Sequence, residues 1–183
     1  IFLWGSSAGS LISLHLAYSD EDERPQSTYG SGSDPDLGCI DCTGNSYLHD
    51  SRPKAIVSCW GAIGDLDWID LDDNIPAILF HGTSDLVVPY DYGLPFTINI
   101  ALPIVYGSSR IHEKLDDLGI QNEVYIEEGE PHEYWGALNG NWVGGPNDYF
   151  DQIQTDSYNF LYQFLDADSN DVPGDLNQDD VID

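Results

Sequence analysis

Short apolar runs alternate with amphipathic stretches along most of the chain. The apolar runs have the length of strands that are buried on both faces, and they cover residues 1–4, 54–60, 77–81 and 123–127. Apolar positions three and four residues apart predict helices over residues 8–18, 109–118 and 148–165. Gly119 and Asn147 stand where a helix stop and a helix cap are expected. The alternation predicts an α/β fold with a mostly parallel sheet and helices on its faces.

Two polar stretches interrupt the alternation. Residues 19–53 are rich in Asp, Glu, Ser, Gly and Pro, which predicts a long irregular excursion on the surface. A short polar segment at 166–173 reads as a linker, and an acidic segment at 174–183 follows it. We therefore expect one compact domain at 1–165, a linker and a separate terminal segment.

The composition restricts the classes of partner. The chain has 5 Lys+Arg against 33 Asp+Glu, a formal net charge of -28, so nucleic acids and anionic membrane surfaces are repelled. Such a charge also favours a saline or calcium-containing setting, where cations screen it. No apolar run is long enough to span a bilayer.

Three cysteines are present, Cys39, Cys42 and Cys59, and an odd number cannot all pair within one chain. A bridge between Cys39 and Cys42 is plausible in an oxidising compartment, and Cys59 reads as a small buried thiol. The single C-x-x-C has no second ligand pair at zinc-site spacing, which argues against a zinc or redox centre.

The first candidate for chemistry is the segment Gly5-Ser6-Ser7-Ala8-Gly9, which fits G-x-S-x-G. It lies between a predicted buried strand and an apolar helix, the context that gives this pattern its meaning. The turn is tight, so the residues around the serine must be small. It leaves the Ser7 hydroxyl at the carboxyl end of the sheet and directs the Ala8 N–H, at a helix N-terminus, towards a developing oxyanion.

A serine hydroxyl needs a neighbouring base, usually a histidine that is oriented by a carboxylate. Asp85 follows the predicted strand at 77–81, and His132 follows the one at 123–127, in the order serine, acid, histidine. Because parallel strands end at the same edge of a sheet, we expect Ser7, Asp85 and His132 to meet there.

These motifs stand as G-S-S-A-G at 5–9, H-G-T-S-D-L-V-V-P at 81–89 and G-E-P-H at 129–132. Over residues 1–165 the chain resembles the carboxylesterase/lipase branch of the α/β-hydrolase superfamily. The resemblance implies the C-terminal half of the α/β-hydrolase fold, with Ser7 as nucleophile, His132 as general base and acid, and Asp85 as the orienting carboxylate. It implies a small-molecule ester substrate and no cofactor for catalysis.

The resemblance also implies that further strands, and the loop with a second oxyanion donor, precede residue 1. We therefore expect the 183 residues alone to form a half-sheet with an unpaired apolar edge at 1–4, prone to aggregate and weakly active at best. Residues 92–106 are longer than the corresponding family segment and are a candidate lid or acyl-pocket wall.

Other residues near the predicted cleft have two interpretations. Trp60 and Trp135 are candidate substrate-binding residues, although core packing is the more frequent role for each, as it is for Trp68. Asp65 and Asp67 are the alternative acid. His81 reads as a structural or cleft-shaping residue, because it ends a strand before the acid. His15 and His112, on helices, read as partly buried or surface histidines, and His49 has no interpretation in its irregular loop.

The terminal segment carries a second signal. Side-chain oxygens at alternate positions, together with one backbone carbonyl, match the ligands of a calcium loop. The side chains are those of Asp175, Asn177, Asp179 and Asp183, and the carbonyl is that of Val181. The segment resembles the opening of a dockerin-type repeat, which implies a cohesin-type partner and an extracellular, secreted protein. Asp180 stands where glycine is usual and the chain ends before the last acidic ligand, so we expect weak Ca²⁺ binding; a solvated acidic tail is the alternative.

The sequence thus predicts a serine hydrolase that cleaves carboxylic esters, in polysaccharide or lipid breakdown. Two alternatives stay open. A prolyl-oligopeptidase-type serine peptidase shares the order of the motifs, and a non-catalytic binding or assembly module could keep the same fold.

Overall fold

The computed structural model describes residues 1–40, 52–96 and 102–165. Its strands and helices follow one another as β1 (Leu3–Ser6), α1 (Ala8–Tyr18), β2 (Ile56–Cys59), β3 (Ala62–Ile63), β4 (Ala77–Gly82), β5 (Tyr92–Gly93), β6 (Val105–Gly107), α2 (Ser108–Leu118), β7 (Asn122–Glu127), β8 (Ala137–Leu138), β9 (Asn141–Trp142) and α3 (Asp148–Tyr162). Short 3-10 helices lie at Glu21–Glu23, Gln26–Thr28 and Leu66–Trp68.

Four strands form one parallel sheet in the order β1-β2-β4-β7. The four strands lie in the sheet in the same order as in the sequence, and a crossover connects each strand to the next. Parallel pairing requires such crossovers, and the intervening segments are long enough to provide them. The carboxyl ends of all four strands therefore lie at one edge of the sheet.

The sheet is covered on both faces, which confirms the predicted α/β class. Alternate residues of a strand point to opposite faces. Ile56 packs in a core cluster with Leu14 of α1 and Leu115 of α2, whereas Val57 packs in a second cluster with Phe160 of α3. The continuous apolar runs in the sequence reflect this double burial.

The predicted main elements are present, and their boundaries differ from the prediction by at most three residues. Gly119 ends α2 in the left-handed conformation at φ 73°, where a side chain would be strained. The Asn147 side chain accepts a hydrogen bond from the Tyr149 N–H at the start of α3. Both helix ends therefore lie where these two residues predict them.

Shorter elements escaped the sequence pattern. β3, β6 and β5 form a small antiparallel sheet, and β8 pairs with β9 as a hairpin. Strands of two or three residues are too short to show a period. The stretch at 92–106 thus contributes β5 and β6; its centre at 97–101 lies outside the described residues, and its role as a lid stays a prediction.

Cys59 is a free and buried thiol, and burial raises its pKa to about 12, which leaves it protonated and unreactive at neutral pH. Cys39 is disulfide-bonded, whereas Cys42 lies outside the described residues. The terminal segment 166–183 also lies outside them. Among the described residues, no helix combines the length and the apolar character needed to cross a bilayer.

Candidate active site

Ser7 occupies the sharp turn between β1 and α1. Its backbone has φ 52° and ψ -118°, a region that residues other than glycine rarely adopt. The Ser7 N–H donates to the Cys59 carbonyl at 3.0 Å, so the turn is tied to the end of β2. Neighbouring structure thus holds the serine in a conformation that its own backbone preference disfavours.

The small residues around Ser7 allow a close approach of strand and helix. A Cβ on Gly5 would overlap the backbone of Gly9, so no larger residue fits at that position. Ser10 of α1 is hydrogen-bonded to Ser58 of β2 through their hydroxyls at 2.5 Å. The turn is therefore fixed from the helix side as well as from the strand side.

Ala8 is the first residue of α1. The first N–H groups of a helix have no carbonyl one turn earlier to bind, and they form the positive end of the helix dipole. The Ala8 N–H therefore lies at the positive end of α1, next to Ser7 in the chain, and its role as oxyanion donor stays a prediction.

Asp85 lies in the loop after β4, and its side chain is fully buried. Its Oδ1 accepts hydrogen bonds from the N–H groups of Val87 and Val88 at 2.8 and 2.9 Å. Burial by itself would raise the pKa of this carboxyl. Hydrogen bonds from His132, His81 and the Val88 N–H outweigh burial and hold the pKa well below its usual range.

His132 lies in the loop after β7 and connects the other two residues. Its Nδ1 is 2.6 Å from Asp85 Oδ2, and its Nε2 is 2.9 Å from Ser7 Oγ. Since a carboxylate only accepts, the proton lies on Nδ1, and Nε2 is left to accept the Ser7 hydroxyl proton. The structure thus brings together the three residues that the sequence placed at three strand ends.

The two tryptophans proposed to contact substrate lie differently. Trp60 is fully buried, and its Nε1–H donates to Ser6 Oγ at 2.9 Å. Its ring packs edge-on against Trp135 and Tyr134, and lies 6.3 Å from the His132 ring between centroids. Trp60 is therefore not accessible to a substrate and packs beneath the residues of the site. Trp135 is partly exposed.

The contacts of the other candidates are with residues other than Ser7, His132 and Asp85. Asp65 caps the 3-10 helix Leu66–Trp68 by accepting from the Asp67 N–H, and the Asp67 side chain is 94% exposed. Asp85, not this pair, is hydrogen-bonded to His132. His15 binds the Leu11 carbonyl and packs against Trp68; His112 contacts Asn122; His49 lies outside the described residues.

The sequence predicts a structural or cleft-shaping role for His81 and does not predict its contact with the acid. The side chain is fully buried, and its Nε2 lies 3.2 Å from Asp85 Oδ2. Its position in H-G-T-S-D, four residues before the acid across a strand end, is the signal that could have indicated this contact.

A cavity of about 470 Å³ opens beside His132. Aliphatic side chains from the loop after β4 and from the β8–β9 region line much of it, among them Leu86, Val87, Leu138 and Val143. The cavity is of a size and character that suit a small apolar group. In the part of the chain that the structure describes, no three His, Cys, Asp or Glu side chains are grouped to hold a metal ion.

Known structures with this arrangement of elements share the α/β-hydrolase fold. An esterase from the Planctomycetes species Thermogutta terrifontis, Est2, is 17% identical with a TM-score of 0.54, over 92% of this chain and 57% of that chain. The same enzyme phosphorylated by paraoxon is 17% identical with a TM-score of 0.52, over 91% of this chain and 55% of that chain. MGS-M1, an α/β-hydrolase enzyme from a Medee basin deep-sea metagenome library, is 18% identical with a TM-score of 0.51, over 91% of this chain and 55% of that chain.

The chain therefore has part of the α/β-hydrolase fold and spans little more than half the length of the structures it matches. At this level of identity the likeness establishes the fold and leaves function to the site. No protein-family model matches the sequence, and no curated protein is significantly similar to it.

Proposed function

We propose that the protein is a serine hydrolase that cleaves carboxylic esters through an acyl-enzyme. The observation that carries the proposal is the continuous row of hydrogen bonds from Ser7 Oγ through the His132 ring to Asp85, with contacts of 2.9 and 2.6 Å. An imidazole held by a buried carboxylate is the group that makes a serine hydroxyl nucleophilic at neutral pH.

The reaction has two halves. His132 Nε2 accepts the Ser7 proton while Oγ attacks the ester carbonyl, and the Ala8 N–H stabilises the oxyanion. His132 then gives the proton to the leaving alcohol, and the acyl group stays on Ser7. Water, deprotonated by His132, attacks the acyl carbonyl; the bond to Ser7 Oγ breaks, His132 returns the proton to Oγ, and the carboxylic acid is released. Asp85 stays ionised throughout and stabilises the imidazolium.

A fluorophosphonate probe tests the nucleophile. We expect the folded chain to be labelled, S7A to be unlabelled, and S6A, the adjacent serine, to keep its label. Because the chain covers about half of the matched structures, turnover by these residues alone is expected to be slow. Labelling needs only one reaction per site and is the more sensitive readout. A folded chain that resists the probe would favour the non-catalytic module.

Two substrates separate the esterase from the peptidase. The G-S-S-A-G-S elbow at 5–10 supports the esterase, so we expect p-nitrophenyl acetate to be hydrolysed faster than a peptidyl anilide. The reverse preference would identify a prolyl-oligopeptidase-type peptidase and would contradict ester cleavage as the function.

The proposal places the protein outside the cell. The disulfide at Cys39 supports this location, because disulfides persist in oxidising compartments. Ca²⁺ and a cohesin-type partner belong to residues 174–183, which lie outside the described residues. Isothermal titration of the chain with CaCl₂ tests the calcium loop, with weak binding expected and D175A as the control variant.

A further inference from the structure

A second histidine lies against the acid of the candidate site. His81, near the end of β4, is fully buried, and both nitrogens of its ring meet polar atoms. Its Nε2 lies 3.0 Å from the Val88 carbonyl oxygen and 3.2 Å from Asp85 Oδ2. Its Nδ1 lies 2.9 Å from Ser108 Oγ, at the start of α2.

These contacts determine where the protons lie. Nε2 of His81 faces two oxygens that can only accept, so it carries a proton. This N–H donates to the Val88 carbonyl and lies beside the Asp85 carboxylate. The Ser108 hydroxyl can then donate to Nδ1. Every polar atom of the buried ring is satisfied in its neutral form, which avoids the cost of burying a charge.

The Asp85 carboxylate is consequently held by three hydrogen bonds and one further polar contact. Oδ1 accepts from the Val87 and Val88 N–H groups, and Oδ2 accepts from His132, with His81 Nε2 3.2 Å away. A carboxylate that is held at both oxygens has little freedom to rotate. Polar contacts thus run without a gap from Ser108 through His81 and Asp85 to His132 and Ser7.

We propose that His81 is a positioning residue that fixes the Asp85 carboxylate and, through it, the tautomer and direction of the His132 ring. The inference rests on the proposed function, since orientation of His132 matters for activation of Ser7. It goes beyond that function because it assigns a task to a side chain outside the serine, histidine and acid.

Two amide substitutions of similar size test this role. In H81Q the side-chain nitrogen reaches the place of Nε2, so it still donates to the Val88 carbonyl and keeps an N–H beside Asp85. In H81N the nitrogen reaches only the place of Nδ1, so the contact with Ser108 is kept and the donor to Asp85 is lost. H112Q and H112N, on the outer part of α2, are the matched controls.

Three measurements are made on each variant: the rate at which the fluorophosphonate labels Ser7, the ¹⁵N and ¹H NMR signals of the His132 ring, and the urea midpoint of unfolding. We expect H81N to be labelled about tenfold more slowly than H81Q at similar midpoints, the size of effect expected for one hydrogen bond to a charged group. The Nδ1–H signal of His132 should persist in H81Q and be lost or averaged between tautomers in H81N.

Equal labelling rates and equal His132 signals in the two variants would overturn the proposal, because a purely structural histidine gives that result. If H81N does not fold, S108A is the variant that tests the positioning role. It keeps the His81 side chain and removes the hydroxyl that is hydrogen-bonded to His81 Nδ1. An unchanged His132 signal in S108A would then also overturn the proposal. Failure of the proposed function has a different signature: the wild-type chain is not labelled, and the NMR comparison still tests the positioning.

Discussion

Asp85 is the residue on which the electrostatics of the site depend. Its hydrogen bonds outweigh its burial and hold its pKa well below the usual range. A carboxyl with a lowered pKa in the folded state contributes stability that is present above its ordinary pKa and is lost as the pH falls through the folded value. Because its pKa is lowered, Asp85 is ionised at neutral pH.

The first prediction concerns this carboxylate. D85N should lower the rate of fluorophosphonate labelling by about 10³ to 10⁴-fold, because an amide at this position favours the wrong tautomer of His132. D65N and D67N, which alter the alternative acid, should be labelled at the wild-type rate. Normal labelling of D85N, or an equal loss of labelling in D65N, would show that Asp85 is not the acid that orients His132.

At the scale of elements, the turn between β1 and α1 depends on how closely strand and helix approach. A second prediction compares its two glycines. G5A should destabilise the fold by about 2 kcal/mol or more, because the added Cβ overlaps the backbone of Gly9. G9A should be neutral or slightly stabilising, because open space surrounds its Cβ position and alanine favours a helix. Urea midpoints measure both, and equal midpoints would contradict the close approach.

Arg52 connects the end of α1 to the crossover before β4. It binds the carbonyl oxygens of Ala17 and Ser19 and forms ion pairs with Asp20 and Asp73. The Asp73 side chain is 5% exposed, and burial raises its pKa to about 6 despite the nearby guanidinium. Ionisation of Asp73 in the folded state is thus disfavoured relative to the unfolded chain.

The third prediction follows from this raised pKa. The contribution of Asp73 to stability is fully present below its ordinary pKa and is lost as the pH rises through about 6. Relative to D73N, the wild type should therefore lose about 1 kcal/mol between about pH 4 and about pH 7, after allowance for solvent screening. D72N, at an exposed neighbour, should run parallel to the wild type. If the dependence of unfolding free energy on pH were also parallel in D73N and the wild type, the raised pKa of Asp73 would be contradicted.

At the scale of the whole molecule, negative charge opposes compaction. With a net charge of -28, repulsion between carboxylates should destabilise the folded chain at low ionic strength. The fourth prediction is that the urea midpoint rises as NaCl is raised from about 0.05 M to about 1 M, where the Debye length falls to about 3 Å. Sucrose solutions of equal osmolality are the control. A midpoint that is insensitive to salt would contradict a destabilising repulsion between the carboxylates.

The edge of the sheet is the second feature at this scale. β1 pairs with β2 on one side, and Ile1 and Trp4 are 91% and 45% exposed. An exposed apolar edge strand invites pairing with another chain. Within the described part of the chain β2 is the one partner of β1. The unpaired apolar edge at 1–4 and its aggregation both stay predictions.

Local patterns explain why the main elements could be predicted from the sequence. The strand runs, the amphipathic α2 and the cap at Asn147 depend on residues a few positions apart, so the chain itself displays them. β3, β5 and β6 are different, because two or three residues carry no period and their pairing joins positions far apart. Burial of Trp60 was equally invisible, since its neighbours come from other loops.

The sequence by itself determined which residues can perform the chemistry, since the small residues around Ser7 and the strand ends before Asp85 and His132 are local features. The tertiary structure alone decided that these residues meet: Ser7 and His132 are 125 positions apart and 2.9 Å from each other. It also decided that His81 shares the Asp85 carboxylate. The physical reason is that register and layer packing in a parallel sheet arise from contacts between distant segments, which no local pattern records.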